Sequence, residues 1–233
     1  MALAAAACSG RSADAPATPL QPVAVTPYTR VTHALRGDVA EVTTKVYSDT
    51  GLVSADYRRY RPDGRLEAEA ASVGGYAADT LLIVYAPDGR IVLDDSASMT
   101  AIYDDAGRLI RLESHAEPPL VIVYGYDRLG RLTAEATAPA EAYPAGDGWL
   151  SSVEYQYDGD ALMRVTRVSA DGYSAVTDLD AQGAPVTETV YDSTGRPLRR
   201  CLYQVTARDS LGNWTSATAA PPHRRLHRHL RYY

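Results

Sequence analysis

The sequence predicts an all-β protein: an antiparallel meander of repeated hairpins whose strongly twisted sheet coils into a partial barrel, spiral or sandwich. Three observations carry this. A short motif recurs along the chain, with Tyr first, then usually Asp or another turn former, two variable residues, Gly, and often Arg and Leu. Between copies, apolar and polar residues alternate with period two, as in Leu120–Tyr126, Ser151–Tyr157 and Ala184–Tyr191, which is the pattern of half-buried strands. Helical periodicity is scarce, and recurrence at short intervals implies units that cannot bury their apolar faces alone.

From the N-terminus, residues 1–27 form an Ala- and Pro-rich lead, expected to be a flexible linker, and residues 28–233 form one β domain. The motif copies run Tyr60 to Leu66, Tyr85 to Ile91, Tyr103 to Leu109, Tyr126 to Leu132 and Tyr191 to Leu198, with weaker copies starting at Tyr47 and Tyr157. Their spacing has a physical cause. Asp104, Asp127 and Asp192 open turns that Gly107, Gly130 and Gly195 close, while Pro62 and Pro87 take the second turn position before Gly64 and Gly89. Those are the residues that a type I turn prefers, and the left-handed position that follows it favours glycine. Each copy is therefore expected to be a hairpin tip.

Across such a tip the residue opening the turn faces the one just after the glycine, so Asp127 meets Arg131 and Tyr126 meets Leu132. The same spacing pairs Asp104 with Arg108 and Tyr103 with Leu109. One sheet face is then tyrosine-rich and apolar, continuing back through Tyr124 and Ile122. The other carries exposed ion pairs that serve register more than stability. With no helix to act as a lid, the apolar face is expected to be covered by coiling, with the tyrosines inside.

The connections vary. Ala116–Pro119 is short, whereas Ala138–Gly148 is longer and rich in Ala, Pro and Gly, which makes it the best loop for a partner contact. From Val165 onward, turns at Gly172, Gly183 and Gly195 follow closely, so the second half is expected to be the more regular sheet. The C-terminal segment places Leu226, Leu230 and Tyr232 on alternate positions and carries Arg224, Arg225, Arg228 and Arg231. It reads as a solvated edge strand whose charges discourage edge-to-edge association, the alternative being a stripe that touches anionic lipid or polyanions.

The run Tyr124-Gly-Tyr126-Asp127-Arg-Leu-Gly130-Arg131-Leu132-Thr133 resembles the Rhs or YD-repeat family, and Tyr155-Gln-Tyr157-Asp158 is a second match in which Ala161 stands where the family has glycine. Asp209-Ser-Leu-Gly212-Asn213-Trp214 resembles the family's variant with Asn after the glycine. The resemblance covers roughly residues 40–216 and implies β-sheet arrays of the kind found in toxin-delivery and cell-surface proteins. The length leaves no room for a complete shell, so a cargo-enclosing role is not expected. At the other end, Leu3-Ala-Ala-Ala-Ala-Cys8-Ser9-Gly10 resembles a bacterial lipoprotein processing site, implying a lipid anchor on Cys8; only seven residues stand before that cysteine, short of a secretory signal. Ser9 after it implies an outer-membrane lipoprotein facing the periplasm.

Composition narrows the functional classes. A net charge of −6 argues against a nucleic-acid partner. With two cysteines there is no disulfide framework, and Cys201 is expected to be a buried, inert thiol. His223, His227 and His229 lack a matching Cys or carboxylate at ligand spacing, so no metal site and no cofactor are expected. Turn propensity accounts for Asp104 with Asp105 and for Asp158 with Asp160, and no nucleophile elbow, phosphate loop or Ser/His/Asp order is recognisable, so no enzyme is expected. The expected function is a non-catalytic cell-envelope lipoprotein acting as a structural or protein-binding module. The alternative is a carbohydrate-binding module that uses loop aromatics Tyr143, Trp149 and Trp214, since an exposed ring offers a flat apolar face with a polar rim.

Overall fold

The computed structural model describes residues 26–74, 76–77, 80–92, 99–115, 117–143 and 148–233. The lipidation candidate Cys8 lies outside the described residues. The chain begins with three long strands, β1 (Val39–Ser48), β2 (Gly51–Tyr60) and β3 (Leu66–Val73), followed by the short strands β4 (Tyr76–Ala77), β5 (Leu81–Leu82), β6 (Val84–Tyr85) and β7 (Ile91–Val92). Next come β8 (Met99–Tyr103), β9 (Leu109–Ser114), β10 (Leu120–Tyr126) and β11 (Leu132–Pro139). After a single 3-10 turn at Ala140–Ala142, the second half consists of β12 (Ser151–Asp158), β13 (Ala161–Ser169), β14 (Ser174–Leu179), β15 (Pro185–Tyr191), β16 (Pro197–Arg208), β17 (Trp214–Ala220) and β18 (Arg224–Tyr232). No α-helix occurs among the described residues.

From β8 to β18 every strand pairs antiparallel with its sequence neighbour, as a meander requires. Among the described residues the path then makes its one non-sequential step, from β18 to β1, and continues through β2 and β3 to β4, giving a path of 15 strands, with β5 beside β3 as a further one, that does not close into a barrel. The step has a clear register, with Val42 opposite Leu230 and Val46 opposite Leu226. It also overturns the edge-strand expectation for the C-terminal segment, because β18 is flanked by β17 and β1. The sheet coils far enough for Leu66 of β3 and Leu109 of β9 to share one apolar cluster with Tyr60, Tyr85, Tyr124 and Leu132.

A meander sends successive turns to opposite ends, and among the described residues seven turns share one end: those following Tyr60, Tyr85, Tyr103, Tyr126, Tyr157, Leu179 and Arg208. In the regular tips the Asp opens the loop as expected. Asp127 N–H donates to the Arg131 carbonyl at 3.0 Å, and Gly130 N–H donates back to Asp127 at 3.0 Å. The Asp127 carboxylate divides its work, Oδ1 accepting from the Leu129 and Arg131 amides at 2.9 Å and Oδ2 from Arg131 Nε at 2.7 Å. Gly130 has φ 78°, a backbone region where a Cβ is disfavoured. The register shifts by one residue at each such tip, which places Tyr126 opposite Leu132 and Tyr103 opposite Leu109.

Adjacent tips are braced through their tyrosines. Tyr126 O–H donates to the Leu109 carbonyl at 2.7 Å and Tyr157 O–H to the Leu132 carbonyl at 2.9 Å. The arginine of the preceding tip covers each ring, Arg108 over Tyr126 at 5.2 Å and Arg131 over Tyr157 at 4.7 Å. The two-stranded β6–β7 hairpin carries this ladder across the opening between the sheet's ends. Tyr85 O–H donates to the Leu66 carbonyl at 2.9 Å, and Tyr103 Oη accepts from the Ile91 amide at 2.7 Å. Tyrosine does here what phenylalanine would not, because its hydroxyl ties ring and neighbouring backbone together.

The lid at the tip end is a segment that the sequence did not announce, residues 26–38. Thr26, 3 % exposed, and Pro27 are already buried, so the domain reaches into the stretch expected as linker. Arg30 N–H donates to the Gly64 carbonyl at 2.9 Å, and its guanidinium reaches the Pro62 carbonyl at 2.9 Å. Further along, the amide side chain of Asn213 clasps Arg36, accepting from its N–H at 2.8 Å and donating to its carbonyl at 2.9 Å. Ala34 rests on Gly183, where an added Cβ would lie 2.5 Å from the Ala34 methyl. The segment thus pins tips that are distant in sequence to one another.

The copy at Tyr191 behaves differently. Meander parity puts its turn at the opposite end, Pro197 pairs with Tyr191, and Leu198 is 50 % exposed rather than core. The second half is otherwise the more regular part, as expected, and Cys201 is buried there.

Candidate functional site

The three aromatic candidates do not converge. Residues 140–143, just after β11, lie against the outer face of β9 to β11, so Val121 and Ala138 are buried although they face outward. Tyr143 lies there, its ring 5.4 Å from the Arg111 guanidinium and its hydroxyl accepting from Arg111 Nη1 at 3.4 Å. A groove of about 560 Å³ opens beside it, walled by Arg111, Glu113, His115, Pro119 and Val121. Trp149 is half-buried at the far end of the same loop and does not line that groove.

Trp214 is not a surface residue: it is 3 % exposed, packed inside the coil with Ala217, Ala219 and Leu226. The reason is its place in the tip motif, where it follows the turn as Leu132 does. That signal was available in the sequence, since inward facing of the first residue after the Arg or Asn position holds for Leu66, Leu109 and Leu132 as well.

Beyond the apolar tip layer, the inner face becomes polar. Arg58 sits between Asp56 and Glu69, each at 2.7 Å. Arg228 stacks 3.8 Å above the Trp214 ring with its Nε donating to Thr44 Oγ1 at 3.4 Å, and burial pushes its pKa down to about 10. Burial also raises Asp56 and Glu135 above the usual carboxylate range. His33, held at 2.7 Å from the Tyr60 hydroxyl, is driven down to about 3 by desolvation first and by Arg58 and Arg228 second. Arg58, Asp56 and Glu69 are spent on one another and His33 on Tyr60, whereas Arg228 Nη1 is buried without a hydrogen-bond partner among the described residues. Among the described residues, no three His, Cys, Asp or Glu side chains gather where they could hold a metal ion, and no helix is long and apolar enough to cross a membrane.

No family model and no curated protein matches the chain. Among solved structures, it is similar to a porin-like protein from Bacteroides uniformis, at 12 % identity and a TM-score of 0.52, with 89 % of this chain and 100 % of that one covered. At that identity the likeness concerns the β fold alone. A Photorhabdus luminescens Tc holotoxin pore aligns at 12 % identity over 76 % of this chain and 12 % of that one, with a TM-score of 0.24. A Vibrio parahaemolyticus domain named for outer membrane lipoprotein sorting aligns at 8 % identity, covering 87 % of this chain and 89 % of that one, with a TM-score of 0.27. Neither of these two aligns closely enough to guide a reading of the site.

Proposed function

We propose that the chain is a non-catalytic cell-envelope lipoprotein of YD-repeat type whose β domain serves as a structural or protein-binding module. The observation that carries the binding role is the open sheet. Among the described residues, β8 has β9 as its one strand neighbour, and the opposite end of the path, at β4 and β5, is open as well. The β6–β7 hairpin bridges this opening at the tip end through Tyr103, and an edge with one strand neighbour is a template for a partner strand, with backbone hydrogen bonds supplying affinity and alternate side chains supplying specificity. The recurring Tyr-Asp-x-x-Gly tips support the family reading, and the small residues before Cys8 support the anchor. A photo-crosslinker at Thr100 on β8 tests the module: one stoichiometric protein partner is expected in envelopes, and equal capture from Thr177 on β14 counts against it. Intact mass with detergent partitioning tests the anchor, which requires acyl mass on Cys8.

A second reading, glycan binding by the loop after β11, is favoured by the groove beside Tyr143. Saturable polysaccharide binding lost in both Tyr143→Ala and Trp149→Ala supports it over the first.

A further inference from the structure

The plain explanation for the cations of the last strand, protection of a sheet edge, has no edge to act on, since β18 is paired on both sides. Alternation turns Arg228 inward with Leu226 and Leu230 and leaves Arg225, His227, His229 and Arg231 exposed on the outer face. The neighbouring strand adds to this. Lys45 stands directly opposite His227, and Tyr47 opposite Arg225. Arg231 is paired with Glu41 at 2.6 Å, but among the described residues no ion pair holds Lys45, Arg224 or Arg225. Many arginines elsewhere are partnered with carboxylates, as at Arg58, Arg108, Arg131 and Arg164, whereas here three cations without an ion pair among the described residues lie close together. Cations gathered on facing strands repel rather than stabilise a sheet. Fold stability therefore does not account for this concentration of positive charge in a chain whose net charge is −6.

At the end of this face opposite the lid, a groove of about 540 Å³ is lined by Tyr47, Gln204, Thr218, His223, Arg224 and Arg225. Its wall carries one carboxylate, Asp49. The Tyr47 ring is steadied by an edge-on contact with the His227 ring, with centroids 5.9 Å apart. We infer that this groove binds a saccharide bearing phosphate or sulfate groups. The Arg225 guanidinium, on the outer face, supplies a planar fork that suits such oxyanions, and Arg224, which alternation turns to the inner side, adds a second cation at the end of the groove. The tyrosine offers an apolar ring to the sugar, and Gln204 and Thr218 offer hydrogen bonds to hydroxyls. The acidic remainder of the molecule limits non-specific attraction, so the positive field stays local to this face. The site is remote from the open sheet edge and from the groove at Tyr143, and it does not depend on either.

Calorimetry on the full chain tests the inference with a heparin-derived hexasaccharide, neutral maltohexaose, and vesicles of phosphatidylglycerol in phosphatidylcholine. The sulfated sugar is expected to bind saturably, and maltohexaose and vesicles are not. Arg224→Ala combined with Arg225→Ala is expected to weaken binding about tenfold or more, from the loss of charge-assisted hydrogen bonds. Tyr47→Ala is expected to weaken it severalfold, while Arg90→Ala, an exposed tip cation at the other end, leaves it unchanged. Unchanged thermal unfolding identifies folded variants, with Arg225→Gln alone as the substitute should the double variant unfold. The inference is overturned by equal binding of maltohexaose, by binding of vesicles in place of sugar, by equal losses in Arg90→Ala, by full retention in Tyr47→Ala, or by no binding at all.

Discussion

At the level of single residues, Asn213 shows how one side chain reconciles a repeat with its surroundings. Its counterpart in the Tyr126 copy is Arg131, which pairs with the Asp that opens its own turn. Asn213 instead spans the turn and the lid, also donating to the Tyr232 hydroxyl at 2.8 Å. Asn213→Ala leaves both backbone groups of Arg36 without their partner, so an unfolding free energy lower by about 2–3 kcal/mol is expected from the usual cost of unpaired buried groups, measurable by urea denaturation. His33 gives a pH signature. Because its native pKa is lowered, the unfolded chain binds a proton that the native one does not as pH falls below the unfolded value near 6.5. Stability is then complete above that value and declines toward pH 3, by at most about 1.4 kcal/mol per pH unit. Denaturation curves between pH 7 and pH 4 should flatten correspondingly in His33→Gln.

Among the elements, the hairpin tip was the most legible. Asp at the opening, Gly at the left-handed position and the tyrosine two-residue register all follow from turn stereochemistry, and Tyr126 meets Leu132 as the spacing requires. The inter-tip brace was less legible, because it joins the hydroxyl of one copy to the carbonyl of the previous one, about twenty residues away. Tyr126→Phe keeps the ring and removes its bond to Leu109; a loss of about 1 kcal/mol is expected for one net hydrogen bond, with Tyr157→Phe adding a similar amount on top because the two bonds share no partner. Equilibrium unfolding of the single and double variants checks both magnitude and additivity. Trp214 was misread for a reason also at this scale. Proximity to a turn suggested exposure, whereas its position within the motif is the inward one.

For the molecule as a whole, the non-sequential pairing of β18 with β1 joins the chain's ends into one sheet, while the short strands β4 to β7 are left to span the opening. Few backbone bonds hold that region: β4 and β5 each match β3 at two positions, and β6 matches β7 at two. By contrast, β1 matches β18 and β2 at eight positions each. Native-state hydrogen exchange is expected to open β4 to β7 first and to leave β1, β2 and β12 to β18 among the last, since local stability follows the density of paired backbone and buried contacts. Simultaneous exchange throughout would mean that the opening is as tightly coupled to the sheet as its centre.

What the sequence by itself determined is local: strands that alternate, turns closed by glycine, and tyrosines directed inward, because each depends on sterics and pleat within a few residues. Only the tertiary structure decided that residues 26–38 close the tip end, that the last strand is internal, and that its outward cations meet Lys45 and Tyr47. Those features arise from contacts between segments up to about 190 positions apart, such as Glu41 with Arg231. No periodicity within either segment encodes such a partnership, since register across the sheet is set by which faces bury together.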